Sequence, residues 1–262
     1  MTQALSRYAG TPFDLTGRSV LVTGGGTGIG AAVCRICAEA GAAVMIHCHR
    51  SREAADQLAL ELREFGQEVR VQAADLTDDT QASGLVDQTV QQLGRLDVLF
   101  NNAGDALERS TLEHCSTELW QRSFDLNVHA AFYVTRRAIP LLRASGRGSI
   151  INNLSLSVQT GGSGGAGAYA AAKGALQVMT RTLARELAPQ VRANAIMPGV
   201  VETPHHARFT SAEKMADYRR QTPLGRNAQP PEIASAVLFL ASDASAFMTG
   251  AVLDLNGGRF LR

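Results

Sequence analysis

The amino-acid sequence predicts an α/β protein: a single domain built on one doubly wound parallel sheet of about seven strands, with helices on both faces. Two observations predict this class. Short, almost continuously apolar segments alternate with helical patterns along most of the 262 residues. A glycine-rich run, from Thr23 to Gly30, lies between the first apolar segment and the first helical pattern.

The segments that are predicted as strands are four to six residues long, and they lie at 19–22, 43–46, 69–73, 97–100, 149–154, 191–196 and 251–255. Most of their positions are apolar, without a strict alternation of apolar and polar residues. This pattern is typical of parallel strands that are buried on both faces. Ligands of such sheets bind at the carboxyl ends of the strands, so the residues that follow each strand are the first candidates for function.

Helical patterns fill the intervals, at 29–40, 51–65, 78–93, 117–142, 168–187 and 231–240. Gly41 and Gly66 follow the first two patterns at C-cap positions, and Pro231 stands in the first turn of the last. We expect residues 1–17 to form an N-terminal extension and residues 18–262 to form the domain.

The composition excludes several classes of function. The net charge is +1 and the Lys and Arg residues are scattered, so no basic surface for nucleic acid is expected. Residues 1–17 lack the apolar core of a signal peptide, and no apolar run reaches membrane-spanning length. Four cysteines in a chain of this length do not suggest a disulfide framework. We therefore expect a cytoplasmic protein that binds neither nucleic acid nor membrane.

The glycine-rich run follows a predicted strand and opens a predicted helix, which is the setting of a dinucleotide phosphate site. Glycines let the backbone approach a pyrophosphate closely, and a helix N-terminus offers free N–H groups with a partial positive charge. Gly26, Gly28 and Ala31 also match the G-x-G-x-x-[GA] pattern of Rossmann-type folds. A tight strand-to-helix turn without a ligand is the less favoured alternative.

Tyr169 and Lys173 are four residues apart in a predicted helix and therefore share one face. An ammonium group beside a phenol lowers the pKa of that phenol, which normally lies near ~10. The pair is thus a candidate acid/base couple. A Tyr and a Lys at this spacing also occur by chance on helix surfaces, so the meaning of the pair depends on the rest of the chain.

Several motifs in order resemble the short-chain dehydrogenase/reductase family, from Gly17 to Gly258. The run T-G-G-G-T-G-I-G is similar to the family's T-G-x-x-x-G-x-G, and residues 101–104 (N-N-A-G) and Tyr169-x-x-x-Lys173 match two further signatures. Additional matches are Asn127, Ser155 and the segment 198–203, P-G-V-V-E-T.

The resemblance implies an enzyme that exchanges hydride between a nicotinamide cofactor and a carbonyl or alcohol. Tyr169 would donate a proton to the substrate oxygen, and Lys173 would lower the pKa of the phenol and hold the nicotinamide ribose. Ser155 would hydrogen-bond the carbonyl oxygen. Asn127 would anchor a water chain that connects Lys173 to solvent.

Two serines compete for the position that orients the substrate. Ser155 and Tyr169 are fourteen residues apart, one more than in many relatives, and Ser157 follows two positions after Ser155. In an extended strand both serines would face the same side, whereas Leu156 would not. Counting forward from residues 148–151 favours Ser155, with the extra residue in the following loop, and Ser157 is the alternative.

The end of the second predicted strand bears on the choice of cofactor. A site selective for NAD usually has an acid about 20 residues beyond its central glycine. Cys48 occupies that position, and residues 47–52 contain no carboxylate. Arg50 and Arg52 offer charge-assisted hydrogen bonds to a 2′-phosphate, and Ser51 adds a hydroxyl at a helix start. We predict NADPH in preference to NADH; the alternative is that these arginines form a solvated turn.

By resemblance, Asp75 would receive the adenine amino group beside Leu76. Asn101 and Gly104 would line the path of the adenosine ribose and stabilise the central strands, and Thr203 would contact the carboxamide or the phosphates. The full set of expected cofactor-binding residues is Thr23, Gly24, Gly26, Thr27, Gly28, Ile29, Gly30, His49, Arg50, Ser51, Asp75, Leu76, Asn101, Ala103, Gly104, Tyr169, Lys173, Pro198, Gly199, Val201 and Thr203.

Two short motifs could indicate metal or redox chemistry, but this interpretation is the less favoured one for both. In His47-Cys48-His49 only the two histidines could point the same way along a strand, and no third ligand is evident nearby. Cys34 and Cys37 form a C-x-x-C inside an apolar helical pattern, where two small buried side chains are the simpler interpretation. We expect no metal.

The sequence says less about the part of the site that would bind the substrate. Five glycines between 161 and 167 predict a pliable loop before Tyr169, and residues 203–225 are expected to form a substrate lid that includes His205, His206, Phe209, Met215 and Tyr218. The adjacent histidines are expected to face solvent. Arg208, Arg219 and Arg220 are available to an anionic substrate, although no arginine fork is evident. The resemblance implies a homotetramer.

The leading hypothesis is an NADPH-dependent reductase of a small or acyl-type keto substrate, similar to 3-oxoacyl-thioester reductases. An NAD-linked alcohol or sugar dehydrogenase is the second hypothesis. A cofactor-binding regulator without catalysis is the third, although no catalytic position of the motif is damaged.

Overall fold

The computed structural model describes residues 6–64, 66–204 and 210–261. Its strands are β1 Ser19–Val22, β2 Ala43–Cys48, β3 Val69–Ala73, β4 Val98–Asn101, β5 Gly148–Asn153, β6 Val191–Pro198 and β7 Val252–Leu255. They form one sheet in the order β3-β2-β1-β4-β5-β6-β7, and every neighbouring pair is parallel. The predicted doubly wound α/β fold is confirmed.

The helices are α1 Gly28–Glu39, α2 Arg52–Glu64, α3 Asp79–Leu93, α4 Thr117–Phe124, α5 Ala130–Ala144, α6 Ser157–Thr160, α7 Gly167–Leu187, α8 Ala212–Gln221 and α9 Pro230–Ala241. The sequence did not predict the short helices α6 and α8. No helix within the described ranges has a stretch that is both long and apolar enough to cross a bilayer.

The core lies on both faces of the sheet, as the apolar strands require. Val20 and Val22 of β1 pack on one face with Val33 of α1, and Leu21 between them packs on the other face with Val134 of α5. Successive side chains of a strand point to opposite faces, so a strand buried on both sides needs apolar residues at every position.

The crevice for a ligand is set by the strand order. β1 pairs with β2 on one side and with β4 on the other, so the loops after β1 and β4 leave the sheet at the point where the order reverses. In open α/β sheets this switch point is where ligands bind. The glycine-rich run follows β1, and the N-N-A-G motif begins at the end of β4.

The single helix that was expected over 117–142 is interrupted. Residues Asp125–His129 form a π-turn between α4 and α5. The side-chain amide of Asn127 donates to the backbone oxygens of Ser123 (3.0 Å) and Asp105 (2.9 Å), so the wide turn is joined to the loop after β4. π-turns within helices are frequent at functional sites.

The described part of the N-terminal extension packs against the domain. Leu15 is fully buried in the core, and its N–H donates to the backbone oxygen of Ala40 at 2.7 Å. The backbone N–H of Arg7 donates to the oxygen of Glu39. Residues 6–17 therefore cover the end of α1.

Candidate active site

A cleft of about 280 Å³ opens at the carboxyl ends of the central strands. Four loops after β1, β4, β5 and β6 line it, together with one side chain from α7; the lining residues are Gly24, Thr27, Gly28, Ile29, Asn102, Ala103, Gly104, Asn153, Leu154, Ser155, Tyr169, Pro198, Gly199, Val201, Thr203 and Pro204. Most of the residues expected at a cofactor site are thus brought to one place.

The loop after β1 forms an anion cradle at the start of α1. Thr27, the N-cap residue, is extended and makes no capping bond with its side chain, and the first turn of α1 contains no acidic residue. The first N–H groups of a helix have no intrahelical partner, and they attract negative charge. Gly24 and Gly28 have φ values of +62° and +55°, which only glycine adopts without strain. The donors fit a pyrophosphate.

Asn102 and Thr23 hold this cradle against β4. The side-chain amide of Asn102 donates to the backbone oxygens of Thr23 (3.0 Å) and Gly24 (3.1 Å). The hydroxyl of Thr23 accepts from the backbone N–H groups of Asn102 (2.8 Å) and Ala103 (3.0 Å). The two loops at the switch point are therefore joined by four hydrogen bonds, which preorganise the cradle.

His47 fixes the other side of the cradle. Its Nδ1 accepts from the backbone N–H of Gly24 (3.0 Å), and its Nε2 lies 3.1 Å from the backbone oxygen of Ala74. A carbonyl only accepts, so Nε2 carries the proton and the ring is neutral. Burial lowers the pKa of His47 from 6.5 to about 4. The side chain that was weighed as a metal ligand thus joins the ends of β2, β1 and β3.

We expect His47 to make folding sensitive to acid. Its folded pKa of about 4 lies below the 6.5 of the unfolded chain, so the unfolded state binds the proton first as the pH falls. Stability is therefore lost between pH 6.5 and pH 4, by about 3 kcal/mol from this group. Urea unfolding at several pH values would measure this loss.

The variant His47→Gln should remove this part of the pH dependence, while His114→Gln, at an exposed histidine, should keep it. An unchanged slope of stability against pH in His47→Gln would contradict the assignment.

Helix α7 carries Tyr169 and Lys173 to the cleft, as their spacing predicted. Tyr169 is half-buried and lines the cleft, while Lys173 is 2% exposed. The ammonium of Lys173 donates to the backbone oxygen of Asn153 at 2.8 Å and lies 5.8 Å from the centre of the Tyr169 ring. The hydroxyl of Ser155 lies close enough to the phenol of Tyr169 to lower its pKa, against the larger effect of burial. Hydroxyl, phenol and ammonium are thus grouped at the end of β5.

The pKa values of the pair differ from the expectation. Burial raises the pKa of Tyr169 to about 12, against a smaller lowering by Ser155, and burial lowers the pKa of Lys173 to about 8. The expected depression of the phenol's pKa is therefore wrong for the protein without cofactor. Desolvation disfavours the phenolate, and the ammonium is directed at the Asn153 carbonyl rather than at the phenol. Tyr169 is consequently a neutral phenol at neutral pH, with a proton to donate.

Asn127, Gly104 and Lys173 converge beneath the cleft. A side-chain carbon added at Gly104 would lie 2.6 Å from Oδ1 of Asn127 and 3.0 Å from Nζ of Lys173. Oδ1 of Asn127 is buried, and the described protein atoms offer it no hydrogen-bond donor. A buried acceptor of this kind is usually satisfied by water or a ligand. The site is therefore compatible with a water beside Lys173.

The choice between the two serines rested on an incorrect geometry. β5 ends at Asn153, and Ser157 is the first residue of α6, so strand alternation does not apply to either serine. The hydroxyl of Ser155 accepts from the N–H of Ser157 at 3.1 Å. Ser155 lines the cleft together with Tyr169 and influences the pKa of its phenol, whereas Ser157 lines only the neighbouring cavity. The geometry favours Ser155.

The cationic side chains that follow β2 differ in their exposure and in their ion pairing. Arg50 and His49 are exposed, while the guanidinium of Arg52 is paired with Asp56 at 2.7 Å. Cys48 is buried. Among the described residues Arg50 has no ion-pair partner within 4 Å. The pKa of Asp75 is lowered, mainly by two hydrogen bonds from Thr77 and to a smaller extent by the charge of Arg50. Both of those bonds use Oδ1 of Asp75.

Asn101 and Leu76 are among the expected cofactor residues that do not line the cleft. Asn101 is 3% exposed, and its amide donates to Thr135 and Asn152, so it ties β4 to β5 and α5. It therefore stabilises the central strands, as expected, but it does not line the cleft. Leu76 is 4% exposed and packs in the core below α3. Asn102, the residue after Asn101, lines the cleft instead. The N-N-A-G motif contained Asn102, but the motif alone did not show which asparagine faces outward.

The expected lid is described only in part. His205, His206, Arg208 and Phe209 lie outside the described residues. Met215 and Tyr218 of α8 are each 9% exposed. Arg219 pairs with Glu202 and Arg220 with Asp217, each at 3.5 Å.

The glycine-rich loop before α7 is well connected. Gly161, Gly162, Gly164 and Gly165 all have positive φ, and the oxygen of Gly165 accepts from the N–H of Ser110 at 2.8 Å. The left-handed backbone of these four residues therefore accounts for the glycine content.

The C-x-x-C motif is buried. Cys34 and Cys37 are fully buried, and burial raises the pKa of both thiols, that of Cys37 to about 12. Within residues 6–64, 66–204 and 210–261, no group of three His, Cys, Asp or Glu side chains is placed to hold a metal ion.

The fold and the site together define a dinucleotide-binding oxidoreductase. A family model described as Enoyl-(Acyl carrier protein) reductase matches residues 24–259. The chain belongs to the short-chain dehydrogenase/reductase family, and it is an NAD(P)-dependent enzyme that acts on CH–OH or C=O groups of small molecules.

Three relatives illustrate the range of substrates in this family. The cyclopentanol dehydrogenase of Comamonas sp. is 38% identical over 241 residues, 91% of this chain and 95% of that protein. The 3-oxoacyl-(acyl-carrier-protein) reductase of Thermotoga maritima is 38% identical over 253 residues, 93% and 98% of the two chains. The solved structure of a 7α-hydroxysteroid dehydrogenase with NADH and 7-oxoglycochenodeoxycholic acid superposes with a TM-score of 0.89 at 29% identity, covering 94% and 96%.

Proposed function

We propose that this protein is an NADPH-dependent reductase that converts a keto group to an alcohol, with Tyr169 as the proton donor. The observation that carries the proposal is the grouping of Tyr169, Ser155 and Lys173 at the mouth of the glycine cradle. A bound nicotinamide supplies the hydride to the carbonyl carbon. The residues of the chain orient the carbonyl and supply the proton.

Each group has a role that follows from its environment. Ser155 donates a hydrogen bond to the substrate oxygen and holds it beside the phenol. Tyr169, protonated at neutral pH, transfers its proton to that oxygen. Lys173, with a pKa of about 8, is mostly cationic at pH 7 and stabilises the negative charge that the phenol then carries. Asn127 holds a water that returns a proton through Lys173.

The remaining expected residues hold the cofactor. The N–H groups of Gly26, Thr27, Gly28, Ile29 and Gly30, at the start of α1, would hold the pyrophosphate of the cofactor. The residues after β6, namely Pro198, Gly199, Val201 and Thr203, line the nicotinamide side of the cleft.

The preference for NADPH rests on the segment after β2. The position expected for a ribose-binding acid is the buried Cys48, and Arg50 is exposed without a carboxylate partner among the described residues. A guanidinium group recognises a phosphate by charge-assisted hydrogen bonds. Ser51 and His49 flank it, and Asp75 offers Oδ2 to the adenine amino group.

Initial rates on a panel of ketones and aldehydes, measured by NADPH and NADH absorbance, test this function. We expect turnover with NADPH in excess of that with NADH. The variant Arg50→Gln should lower the NADPH-to-NADH ratio of kcat/KM by about 10- to 100-fold, the usual value of a hydrogen bond to a charged group. Arg52→Gln should lower it less, because Asp56 already holds Arg52. A wild-type preference for NADH would contradict the cofactor assignment.

An NAD-linked alcohol dehydrogenase is the second candidate. It is favoured by the name of the cyclopentanol dehydrogenase relative and by the NADH in the superposed structure. A higher rate of alcohol oxidation with NAD than of ketone reduction with NADPH would support it. A regulator without catalysis would instead bind NADPH and turn over no member of the panel.

We further propose that the chain forms homotetramers in the cytoplasm. Large apolar side chains are exposed on α4, α5 and α7, namely Trp120, Phe132 and Val178 (39%, 41% and 59% exposed). Such a surface suits subunit contacts. The four cysteines are free, as expected in a reducing compartment. A monomeric mass in solution, or recovery of the native chain outside the cytoplasm, would contradict these proposals.

A further inference from the structure

A second cavity, of about 130 Å³, adjoins the cofactor cleft and shares Ser155 and Tyr169 with it. Because the reacting carbonyl must contact these two side chains, this cavity receives the rest of the substrate. Its lining includes two arginines from distant parts of the chain: Arg109, in the loop after β4, and Arg259, after β7. None of the described residues that line it carries a carboxylate side chain.

Arg259 is held in place by neutral partners. Its guanidinium lies over the ring of Tyr218, 4.5 Å from the ring centre, and donates to the side-chain oxygen of Gln221 at 2.8 Å. Both partners belong to α8. Stacking on an aromatic face orients a guanidinium without neutralising it. The remaining N–H groups of Arg259 are therefore still available to an anion.

Arg109 is oriented in a similar way by backbone oxygens. Its guanidinium donates to the oxygens of Ser163 (3.4 Å) and Gly164 (3.2 Å) in the glycine-rich loop. Both acceptors are neutral backbone oxygens, so these bonds orient the guanidinium and add no negative charge beside it.

The neighbouring cations are different. Lys214, Arg219, Arg220 and Arg226 all form ion pairs with carboxylates at 2.5 to 3.5 Å. In the part of the chain that the structure describes, neither Arg109 nor Arg259 has a carboxylate within 4 Å. Arg109 and Arg259 are thus two oriented cations without a carboxylate partner among the described residues, and they line the cavity that contains Ser155 and Tyr169.

We propose that Arg109 and Arg259 form a subsite for a carboxylate or another anionic group of the substrate. The cavity is small, so the anionic group lies only a few bonds from the carbonyl that reacts at Tyr169. The substrates are therefore keto acids and their hydroxy-acid products rather than neutral ketones. The inference rests on the proposed carbonyl reduction and specifies its substrate class.

Pairs of keto acids and their ethyl esters test the subsite, because each pair differs mainly in charge. Suitable probes are acetoacetate, levulinate and 4-oxocyclohexanecarboxylate, each with its ester, with cyclohexanone as a neutral ketone. We expect at least one acid to be reduced with a kcat/KM at least ten times that of its ester. In Arg259→Gln and in Arg109→Gln this ratio should fall by about 10- to 100-fold, mainly through KM.

Two further variants separate the subsite from a structural effect. Arg259→Lys keeps the charge and should retain part of the acid preference. Arg70→Gln removes a cation from the edge strand β3 and should leave the ratio unchanged. Comparison of acid and ester on one enzyme preparation cancels any loss of folded protein.

The outcomes distinguish this inference from the proposed function. Turnover of cyclohexanone or the esters without any preference for the acids would overturn the subsite alone. Persistence of the acid preference in the double variant Arg109→Gln/Arg259→Gln would do the same. Absence of turnover with every carbonyl compound would overturn the reductase assignment together with the subsite.

Discussion

Replacement of Tyr169 by phenylalanine is expected to lower kcat for carbonyl reduction by about 10²- to 10⁴-fold, the range that a positioned proton donor contributes. This corresponds to about 3–5 kcal/mol of activation free energy. The substitution removes one oxygen and preserves the ring that lines the cleft. The phenol is protonated at neutral pH, so its loss removes a proton source rather than a charge.

The binding of NADPH separates this effect from damage to the cofactor site. Fluorescence titration of Tyr169→Phe should give a Kd within about threefold of the wild type, because phosphate binding depends on the cradle at the start of α1. Tyr8→Phe is the matched control, since Tyr8 packs in the N-terminal extension. A rate within tenfold of wild type in Tyr169→Phe would mean that another group donates the proton.

The second large effect is expected for Gly30→Ala. The new methyl group would press against the backbone oxygen of Gly24 and lie 2.8 Å from Nδ2 of Asn102. Both atoms belong to the hydrogen bonds that hold the cradle to β4, so neither can move without breaking one. We expect the free energy of unfolding to fall by about 1–3 kcal/mol. A displacement of the cradle by about 1 Å should lower kcat/KM by about 100-fold.

Gly84→Ala provides the control for Gly30→Ala. Gly84 lies within α3, and nothing approaches the position of an added carbon within 4 Å. The same substitution there should raise the free energy of unfolding by about 0.5–1 kcal/mol, because it removes backbone freedom from the unfolded chain. Thermal unfolding with and without NADPH measures both variants. Equal stability and equal stabilisation by NADPH in the two variants would show that the cradle tolerates a side chain.

The sheet was predictable because its signal is local. Seven apolar segments separated by helical patterns required a parallel sheet that is buried on both faces, and the structure confirms it. Helix ends marked by Gly41 and Gly66 were also close to their observed positions, since glycine relieves the strain of a left-handed C-terminal residue. No comparable signal in the local sequence predicted the π-turn at Asp125–His129. It depends on the bond from Asn127 to the Asp105 oxygen, which comes from another loop.

The candidate site was predictable only as a set of motifs. The spacing of Tyr169 and Lys173 placed them on one face of a helix, but it did not show that Lys173 would be buried and Tyr169 half-buried. Burial raises the pKa of Tyr169 and lowers the pKa of Lys173, so the shift of the phenol's pKa is opposite to the expected one. Likewise, only the end of β4 in three dimensions shows that Asn102 rather than Asn101 lines the cleft.

The sequence by itself determined the fold class, the position of the glycine-rich run between the first strand and the first helix, and the placement of Tyr169 and Lys173 on one helix face. The last two depend on residues that are close together along the chain. Only the tertiary structure decided which side chains share a cavity. His47 with Gly24 and Ala74, and Arg109 with Arg259, are separated along the chain by tens of residues or more and meet only when the sheet has formed. Desolvation and unpaired charge arise only when these distant residues come together in the folded protein. Neither the pKa values nor the anion subsite could therefore be obtained from the order of residues alone.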